Sequence, residues 1–181
     1  WAPNMFTRAG WINFNNLSRI GGVDSFLYTP NGKLHSLLTK LAFVNLGHPF
    51  QPFVHGQKII GPKLAQKFGI KLIMYGENQA EYGNPIADND SARRSWEYFS
   101  QQDKSETFIG GVSVQDLKQQ FGLEEVDIEP YMPVDPEIIE KNKIDVHYLG
   151  YYLPWHPQSA YYYSVEHGNF EASPERTAGD R

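Results

Sequence analysis

The chain has 181 residues, of which 40% are hydrophobic and 20% are charged, a balance typical of a folded domain with a real core and not of a disordered chain. Its formal net charge of −5 argues against nucleic acid as the main partner, because phosphate backbones are bound by clustered Lys and Arg. The sequence has no apolar run of about 20 residues that would span a bilayer. It also has no cysteine, which excludes disulfides and thiolate metal sites.

Helices and strands alternate along the predicted order of elements. Apolar residues at helical spacing, with Gly and Pro at the boundaries, predict helices at 10–19, 33–47, 61–69, 91–103, 113–121 and 136–142. Short apolar runs predict strands at 25–30, 70–76 and 145–155. This alternation predicts an α/β fold with a mainly parallel sheet, in which ligands bind beyond the carboxyl ends of the strands.

The strand at 70–76 is the strongest of the three. It is apolar almost throughout, so we expect it to be covered on both faces. Residues 48–53 are expected to form a rigid loop with two prolines, and the segment after Trp155 shows only weak periodicity. Without an internal repeat, we expect a single α/β domain over residues 1–181, with the aromatic-rich segment 145–181 as a candidate region for a substrate or a partner.

One short string, Gly21-Gly22-Val23-Asp24-Ser25, has the letters of a phosphate loop. A phosphate loop needs a buried strand before its glycines and a helix directly after them. Here the order is reversed, because a polar helix precedes the string and a proline-terminated strand follows it. We therefore interpret it as a helix C-terminus, with Gly21 or Gly22 in the left-handed conformation, that leads into the strand at 25–30.

Two strand ends are candidate sites. At the first, Asn31, Gly32 and Lys33 stand between a strand and a helix N-terminus, where backbone N–H groups, the helix dipole and a lysine would hold an anion. An ordinary capped turn is the alternative interpretation. The second follows strand 70–76 in the stretch "YGENQAEYGNP".

In that second stretch, Glu77 and Glu81 supply carboxylates, and Asn78 and Asn84 supply carboxamides. Carboxylates at a strand end suit Mg²⁺, which takes one or two of them together with substrate phosphates. Gly76 and Gly83 would let the backbone approach a ligand closely. A solvated acidic loop is the alternative.

Other patterns give less. Without cysteine or a His-x₃-His helix, the sequence predicts no metal centre built from His or Cys. A group of aromatic residues near the end of the chain would stack a sugar or a base, or else belong to the core or an interface. These residues are Tyr148, Tyr151, Tyr152, Trp155, Tyr161, Tyr162 and Tyr163.

Several blocks together resemble one family. The N-acetyl sugar amidotransferases, bacterial enzymes of the ATP pyrophosphatase (PP-loop) superfamily, are similar to this chain over nearly its whole length. The blocks are "WAPNMFTRAGWINFNNL", "FLYTPNGKLHSLLTKLAFVNLGHPFQPFVHGQK", "LIMYGENQAEYGNP", "FIGGVS" and "YLGYYLPWHPQSAYYYSVEHGNFEASPERTAG". The block "YGENQAEYGNP" is the most specific of them.

The resemblance implies an adenine nucleotide α-hydrolase-like fold, with helices on both sides of the sheet, and an ATP-dependent reaction. ATP would adenylate the carbonyl oxygen of an acetamido group on a nucleotide-activated sugar, and ammonia would displace AMP to leave an acetamidino group. Mg²⁺ is the implied ion. Glutaminase and synthase-like subunits are the implied ammonia-supplying partners, in cytoplasmic synthesis of surface polysaccharide (lipopolysaccharide, O-antigen, pseudaminic acid) or flagellin glycan.

Carried over position by position, the resemblance assigns Glu77, Asn78 and Glu81 to the neighbourhood of ATP and the substrate carbonyl. It assigns Asn31, Gly32 and Lys33 to the nucleotide or sugar phosphates. Further candidates for nucleotide or substrate binding are Gln51, His55, Gln57, Lys58 and Asn84.

The chain departs from the family pattern in two ways. Phe50 and Phe53 stand where some members carry cysteines, which removes any case for a metal at that loop. The family's Ser-Gly-Gly-x-Asp-Ser loop is expected before Trp1 and further family sequence after Arg181, so we expect a fragment that is incomplete at both ends and inactive alone.

Two alternatives stay open. One is another PP-loop enzyme of the tRNA thiolase type, which the lack of cysteine and the acidic charge balance disfavour. The other is a non-catalytic module that binds a carbohydrate or a partner through the aromatic C-terminal segment.

Overall fold

The structure is a computed structural model, and it describes residues 1–3, 5–76 and 91–172. This part of the chain is mixed α/β, which confirms the fold class in its coarse form. The seven α-helices are α1 (Arg8–Gly21), α2 (Gly32–Leu46), α3 (Gln51–Phe68), α4 (Val114–Phe121), α5 (Glu125–Ile128), α6 (Pro136–Asn142) and α7 (Pro157–Gly168). The strands are β1 (Leu72–Tyr75), β2 (Phe108–Ile109), β3 (Val112–Ser113) and β4 (Asp145–Tyr148).

The four strands form two small sheets. β1 and β4 pair in parallel, with Leu72 opposite Asp145 and Tyr75 opposite Tyr148. β2 and β3 form an antiparallel hairpin. In the described part of the chain the parallel sheet therefore has two strands, because the run expected to form a strand at 25–30 has no strand pairing.

The chain divides into two compact units. Unit 1 comprises Trp1 and Thr29–Leu153, and unit 2 comprises Ala2–Tyr28 and Pro154–Arg181. The aromatic-rich segment 145–181 is consequently shared between the two units. The division into units does not test whether residues 1–181 fold together, so a single domain stays a prediction.

The helix boundaries follow the predicted chemistry in α1, α2 and α4. Gly22, with φ of 65°, ends α1 in the left-handed conformation, so the Gly-Gly-Val-Asp-Ser string is confirmed as a helix C-terminus. Asn31 caps α2, and Gly47 ends it with φ of 64°. α4 begins at a Ser113 cap and ends at Gly122.

Helix α3 corrects two predictions at once, because a single 18-residue helix includes residues 51–53 of the loop expected at 48–53 and extends through the short helix expected at 61–69. Pro52 is compatible with the first turn, where its missing N–H has no helical partner anyway. Pro62 lies inside the helix and leaves the carbonyl of Lys58 without its usual donor. The hydroxyl of Tyr75 donates to this carbonyl at 3.1 Å, which compensates part of the loss.

The helix expected at 91–103 is wrong. The segment contains a single 3₁₀ turn, Trp96–Tyr98. Its first residues pair with the edge of β4 instead: the N–H of Arg94 donates to the carbonyl of Val146 at 2.7 Å, and the N–H of Tyr148 donates to the carbonyl of Ala92 at 2.9 Å. Tertiary pairing thus overrides the helical spacing of the apolar residues.

Three further expectations need correction. The strand expected at 145–155 is limited to β4, which a 3₁₀ turn follows directly. α7 forms in the tail where weak periodicity predicted no element, and it begins with Pro157 at its first turn. The expectation that β1 is covered on both faces is also wrong, because Leu72 is 52% exposed and Met74 is 43% exposed.

The described residues of unit 1 form two clusters of buried side chains. The first, here called the α2 cluster, comprises Leu34, Leu38, Ile109, Val114, Leu117, Ile128, Tyr131 and Met132. The second, here called the sheet cluster, comprises Ile59, Ala65, Phe99, Val134, Ile139, Ile144 and Val146. Among the residues with described coordinates, no helix is both long and apolar enough to cross a bilayer.

Candidate functional site

The carboxyl ends of the two parallel strands meet at Tyr75 and Tyr148. These residues are partners in the strand register, and their ring centroids lie 6.0 Å apart. The guanidinium carbon of Arg94 lies 5.6 Å from the Tyr148 ring centroid, and the carbonyl of Lys58 accepts the Tyr75 hydroxyl. Two cationic residues therefore gather at the edge of the sheet where ligands of α/β proteins bind.

Both cations contact one aromatic ring. The Nζ atom of Lys58 lies 3.8 Å from the centroid of the Tyr98 ring, and the guanidinium carbon of Arg94 lies 3.5 Å from it. At such distances the two groups would overlap on the same face, so they occupy opposite faces of the ring. Each contact is a cation–π interaction, worth about 0.5–2 kcal/mol according to how far it is desolvated.

The positive charges of Lys58 and Arg94 on the Tyr98 ring are not neutralised by a carboxylate among the described residues. Burial, and secondly the charge of Arg94, lower the pKa of Lys58. The ion pairs found within the described ranges give neither Lys58 nor Arg94 a carboxylate partner. Lys63, about one and a half helical turns further along α3, differs because its Nζ lies 2.7 Å from the carboxylate of Glu129.

One nitrogen of Arg94 has an unusual environment. Its Nη1 atom is shut off from solvent and has no hydrogen-bond partner among the residues described. An unsatisfied buried polar group costs about 1–3 kcal/mol, and more when it is charged. Such groups are uncommon in folded proteins, so Arg94 requires a functional or structural explanation.

A groove of about 1190 Å³ is lined by Arg94 and its neighbours, by residues of α6 and by the first residues of β4. Residues 91–102 form one wall and α6 the other. Arg93, Arg94 and Trp96 line the first wall, and Glu137 and Glu140 line the second. Trp96 leaves 48% of its surface exposed, so an aromatic face is available in the groove.

Of the residues predicted on α3, only Lys58 lies at the carboxyl end of the sheet. Gln51 instead holds the β2–β3 hairpin: its Oε1 accepts from the N–H of Gly110 at 2.9 Å, and its Nε2 donates to the carbonyl of Phe108 at 3.3 Å. Gln57 is exposed on the surface of α3. The structure thus gives Gln51 a structural role and separates it from Lys58 by about two turns of helix.

His55 is largely buried on α3. Its pKa is lowered to about 4, first by burial and then by the charge of Lys58, with Lys63 adding to the effect and a hydrogen bond to the backbone of Tyr131 opposing it. Nearby, Nδ1 of His35 is hydrogen-bonded to the Tyr131 hydroxyl at 2.8 Å. His55 is therefore neutral at physiological pH and packs beside the α2 cluster.

At the start of α2, where the sequence predicts an anion site, backbone N–H groups are already hydrogen-bonded to the residue that caps the helix. The Asn31 side chain accepts from the N–H groups of Lys33 at 3.1 Å and Leu34 at 3.3 Å. Gly32 is the first residue of the helix, and Lys33 is exposed. This geometry fits the alternative interpretation of a capped turn, and binding of phosphate by these three residues stays a prediction.

The predicted residues Glu77, Asn78, Glu81 and Asn84 lie outside the described residues, so their assignment stays a prediction. Within the ranges that are described, no group of three His, Asp or Glu side chains is close enough to hold a metal ion.

The aromatic residues of the C-terminal segment do not form one set. Tyr148 is buried at the end of β4, and the Tyr152 hydroxyl is hydrogen-bonded to Nδ1 of His147 at 2.5 Å, both within unit 1. The three consecutive tyrosines 161–163 belong to α7 in unit 2.

Sequence reasoning missed Arg94 and Tyr98. The signal was present as two adjacent arginines followed by aromatic residues in "ARRSWEYF". The segment was expected to be helical, which would have dispersed these side chains around a helix. In the structure the extended backbone beside β4 fixes Arg94 over the Tyr98 ring.

No protein-family model matches this chain, and a search of curated proteins likewise finds no match.

Proposed function

We propose that the protein is an ATP-dependent amidotransferase that converts an acetamido group of a nucleotide-activated sugar to an acetamidino group. In this reaction the amide oxygen attacks the α-phosphorus of ATP, and pyrophosphate leaves. Ammonia then adds to the activated carbon, and the oxygen departs with AMP. The route is chemically reasonable because an amide is a poor electrophile until its oxygen becomes part of a good leaving group.

The observation that carries the proposal is the pair of cations at the carboxyl end of the parallel strands. Lys58 and Arg94 hold positive charge at this edge, which suits the phosphate groups of ATP or of the nucleotide sugar. In the sequence, Glu77 follows β1 after a single glycine. The residues that the family resemblance assigns to ATP therefore begin at the strand end that carries the cations.

The proposal also includes a more specific fold than mixed α/β. The parallel pairing of β1 with β4 supports a larger parallel sheet sandwiched by helices, as in adenine nucleotide α-hydrolases. Glu77, Asn78 and Glu81 would lie near ATP and the substrate carbonyl. Mg²⁺, when bound, would neutralise phosphate charge during the adenylation. Glutaminase and synthase-like subunits would supply ammonia, and the cytoplasm is the proposed location.

The test measures AMP formation by the full-length gene product. With ATP, Mg²⁺ and ammonium, AMP should appear only when a nucleotide-linked N-acetyl sugar is present. The product should be lighter than the substrate by the difference between an oxygen atom and an NH group. Glu77→Gln should lower the rate at least about 100-fold, because it removes a charged group from the reacting centre.

Glu106→Gln is the matched control, since Glu106 is an exposed glutamate in a 3₁₀ turn of unit 1. It should leave AMP formation unchanged. AMP release that is independent of the sugar, or equal in Glu77→Gln and wild type, would contradict the proposal.

A second candidate function is non-catalytic carbohydrate binding. Trp96, half exposed on a groove that also presents carboxylates, favours it, because aromatic faces and polar groups together suit sugars. Saturable sugar binding without any AMP formation would favour this second function over the first.

A further inference from the structure

Two neighbouring arginines in the groove differ in how their charge is used. Arg93 forms an ion pair with Asp145. Arg94 has no ion pair among the described residues, and its guanidinium rests on the Tyr98 ring, 3.5 Å from the centroid. Its backbone is fixed by the hydrogen bond to Val146. Arg94 is therefore a pre-positioned cation whose charge is still available to a ligand.

This arrangement favours an oxyanion. A guanidinium has five N–H donors, so donors other than the enclosed Nη1 group can bind the oxygens of a phosphate or carboxylate. Stacking on Tyr98 limits the rotamers of Arg94, so little side-chain entropy remains to be lost on binding. Lys58 on the opposite face of the ring adds positive potential.

The other charges in the groove limit what the ligand can be. Asp145 is neutralised by Arg93 and lies 3.0 Å from Nε2 of His147. Asp135 caps α6 by accepting from the N–H of Glu137 at 2.9 Å. Glu137 and Glu140 face the groove from α6, with Lys143 as the only lysine in its described lining.

Those carboxylates disfavour a polyphosphate along the groove, because like charges repel at close range. They suit hydroxyl groups, which donate to carboxylates. Trp96 supplies an apolar face on the opposite wall. The combination matches a ligand with one anionic end and a hydroxylated ring.

We propose that this groove binds a sugar phosphate, with Arg94 on the phosphate and Trp96 against the sugar ring. The inference rests on the proposed function in identifying the sugar phosphate as that part of a nucleotide sugar. It assigns the substrate's phosphate to Arg94, whose guanidinium carbon lies 5.6 Å from the ring centroid of Tyr148 at the end of β4. The reacting acetamido group would then lie within one sugar ring of that point.

The experiment is calorimetric titration of the full-length protein with N-acetylglucosamine 1-phosphate. Arg94→Gln should weaken binding about 10- to 100-fold, the size expected for one charge-assisted hydrogen-bonding group. Arg93→Gln is the matched control, because it removes an equal charge from the same groove, and it should weaken binding less than about 3-fold. Trp96→Leu should weaken binding of the sugar phosphate and leave the weaker binding of inorganic phosphate unchanged.

Each variant is also checked by thermal unfolding. If Arg94→Gln does not fold, Arg94→Lys provides the second measurement, since it keeps the charge and loses the planar fork. It should bind N-acetylglucosamine 1-phosphate about 3- to 10-fold more weakly than wild type. Equal losses in the Arg93 and Arg94 variants, or no binding to the wild-type protein, would overturn the inference.

Two outcomes separate this inference from the proposed function. If Arg94→Gln loses sugar phosphate binding but the wild-type protein never forms AMP, the groove assignment stands and the amidotransferase proposal fails. If the wild-type protein forms AMP with a KM for the sugar that Arg94→Gln leaves unchanged, the groove assignment fails alone. ATP that competes with N-acetylglucosamine 1-phosphate and depends on Arg94 more strongly would also overturn it, since Arg94 would then hold the nucleotide.

Discussion

The α2 cluster and the sheet cluster of unit 1 differ in whether the polar side chains discussed beside them carry an unpaired charge. Around the α2 cluster, Asn31 caps the helix, Gln51 bonds the backbone of Phe108 and Gly110, and His35 is hydrogen-bonded to Tyr131. His55 is neutral there, and its buried Nε2 atom has no hydrogen-bond partner among the described residues. Beside the sheet cluster, Arg94 has a buried nitrogen without a described partner, and Lys58 is half desolvated next to a second cation. β1 also leaves alternate apolar side chains exposed.

This difference indicates a division of labour within unit 1. Neutral polar groups and close packing stabilise a fold, whereas unpaired charge and exposed apolar surface are retained where a ligand or a partner uses them. Substitutions near the α2 cluster should therefore change stability and leave ligand binding intact. Substitutions beside the sheet cluster should do the opposite, and three experiments test this contrast.

The largest expected effect is at Gly110 in the β2–β3 turn. Its φ is 64°, and a Cβ atom there would lie 2.8 Å from the backbone carbonyl oxygen of Leu38 on α2. Gly110→Val should lower the free energy of unfolding by about 4 kcal/mol, from the left-handed strain and the steric clash together. Urea denaturation measures the change.

Gly122→Val is the matched control for that substitution. Gly122 has nearly the same φ, 66°, but no heavy atom within 4 Å of the added Cβ. It should cost only the strain, about 2 kcal/mol. Equal losses at the two positions would show that the hairpin is not closely packed against α2.

The second effect is a loss of stability at acid pH caused by His55, which lies where α3 meets the α2 cluster. Because the pKa of His55 is about 4 in the folded protein and near 6.5 when unfolded, the folded state binds fewer protons. Its contribution to stability is therefore complete above pH 6.5 and is lost as the pH falls toward 4. The loss is about 3 kcal/mol at most.

His55→Gln, which cannot take up this proton, isolates the effect. The difference in unfolding free energy between wild type and variant should change by about 2–3 kcal/mol between pH 7 and 4.5. His35, whose pKa burial also lowers, is present in both proteins and cancels in the comparison. A difference that does not vary with pH would mean that His55 is solvated in the native state.

The contrast between the clusters also shows what sequence alone can predict. Local signals were sufficient for α2, because Asn31 and Gly47 act within one helical turn of the residues they cap. The segment 91–103 was mispredicted because its backbone hydrogen bonds go to β4, some fifty residues later in the chain. α3 was divided at Pro62 because the donor that compensates this proline, Tyr75, lies on a strand outside the helix.

The candidate site could be predicted only in part, because its contacts also join segments that are distant in the sequence. Lys58 was a candidate because of the family resemblance, whereas its setting in the structure depends on Tyr98 and Arg94. Cation–π contacts between distant segments have no periodicity that a sequence pattern would reveal. Conversely, the sequence around Asn31 predicts an anion site, but in the structure the Asn31 side chain caps the helix and bonds the N–H groups of Lys33 and Leu34.

The smallest effects should separate the two anion sites most clearly. Asn31→Ala should lower the unfolding free energy by about 1 kcal/mol through loss of the helix cap, and should leave the affinity for N-acetylglucosamine 1-phosphate unchanged. Arg94→Met should stay within about 1 kcal/mol of wild type in stability, because relief of an unpaired charge offsets the lost cation–π attraction.

Arg94→Met should nevertheless lose most of its affinity for the sugar phosphate. Asn31→Ala would then change stability alone, and Arg94→Met would mainly change binding. Urea denaturation and calorimetry on the two variants provide the comparison. If Asn31→Ala were to weaken phosphate binding while Arg94→Met did not, the anion would bind at the N-terminus of α2, as the sequence predicts. The unsatisfied guanidinium would then be a cost of packing beside β4 with no role in binding.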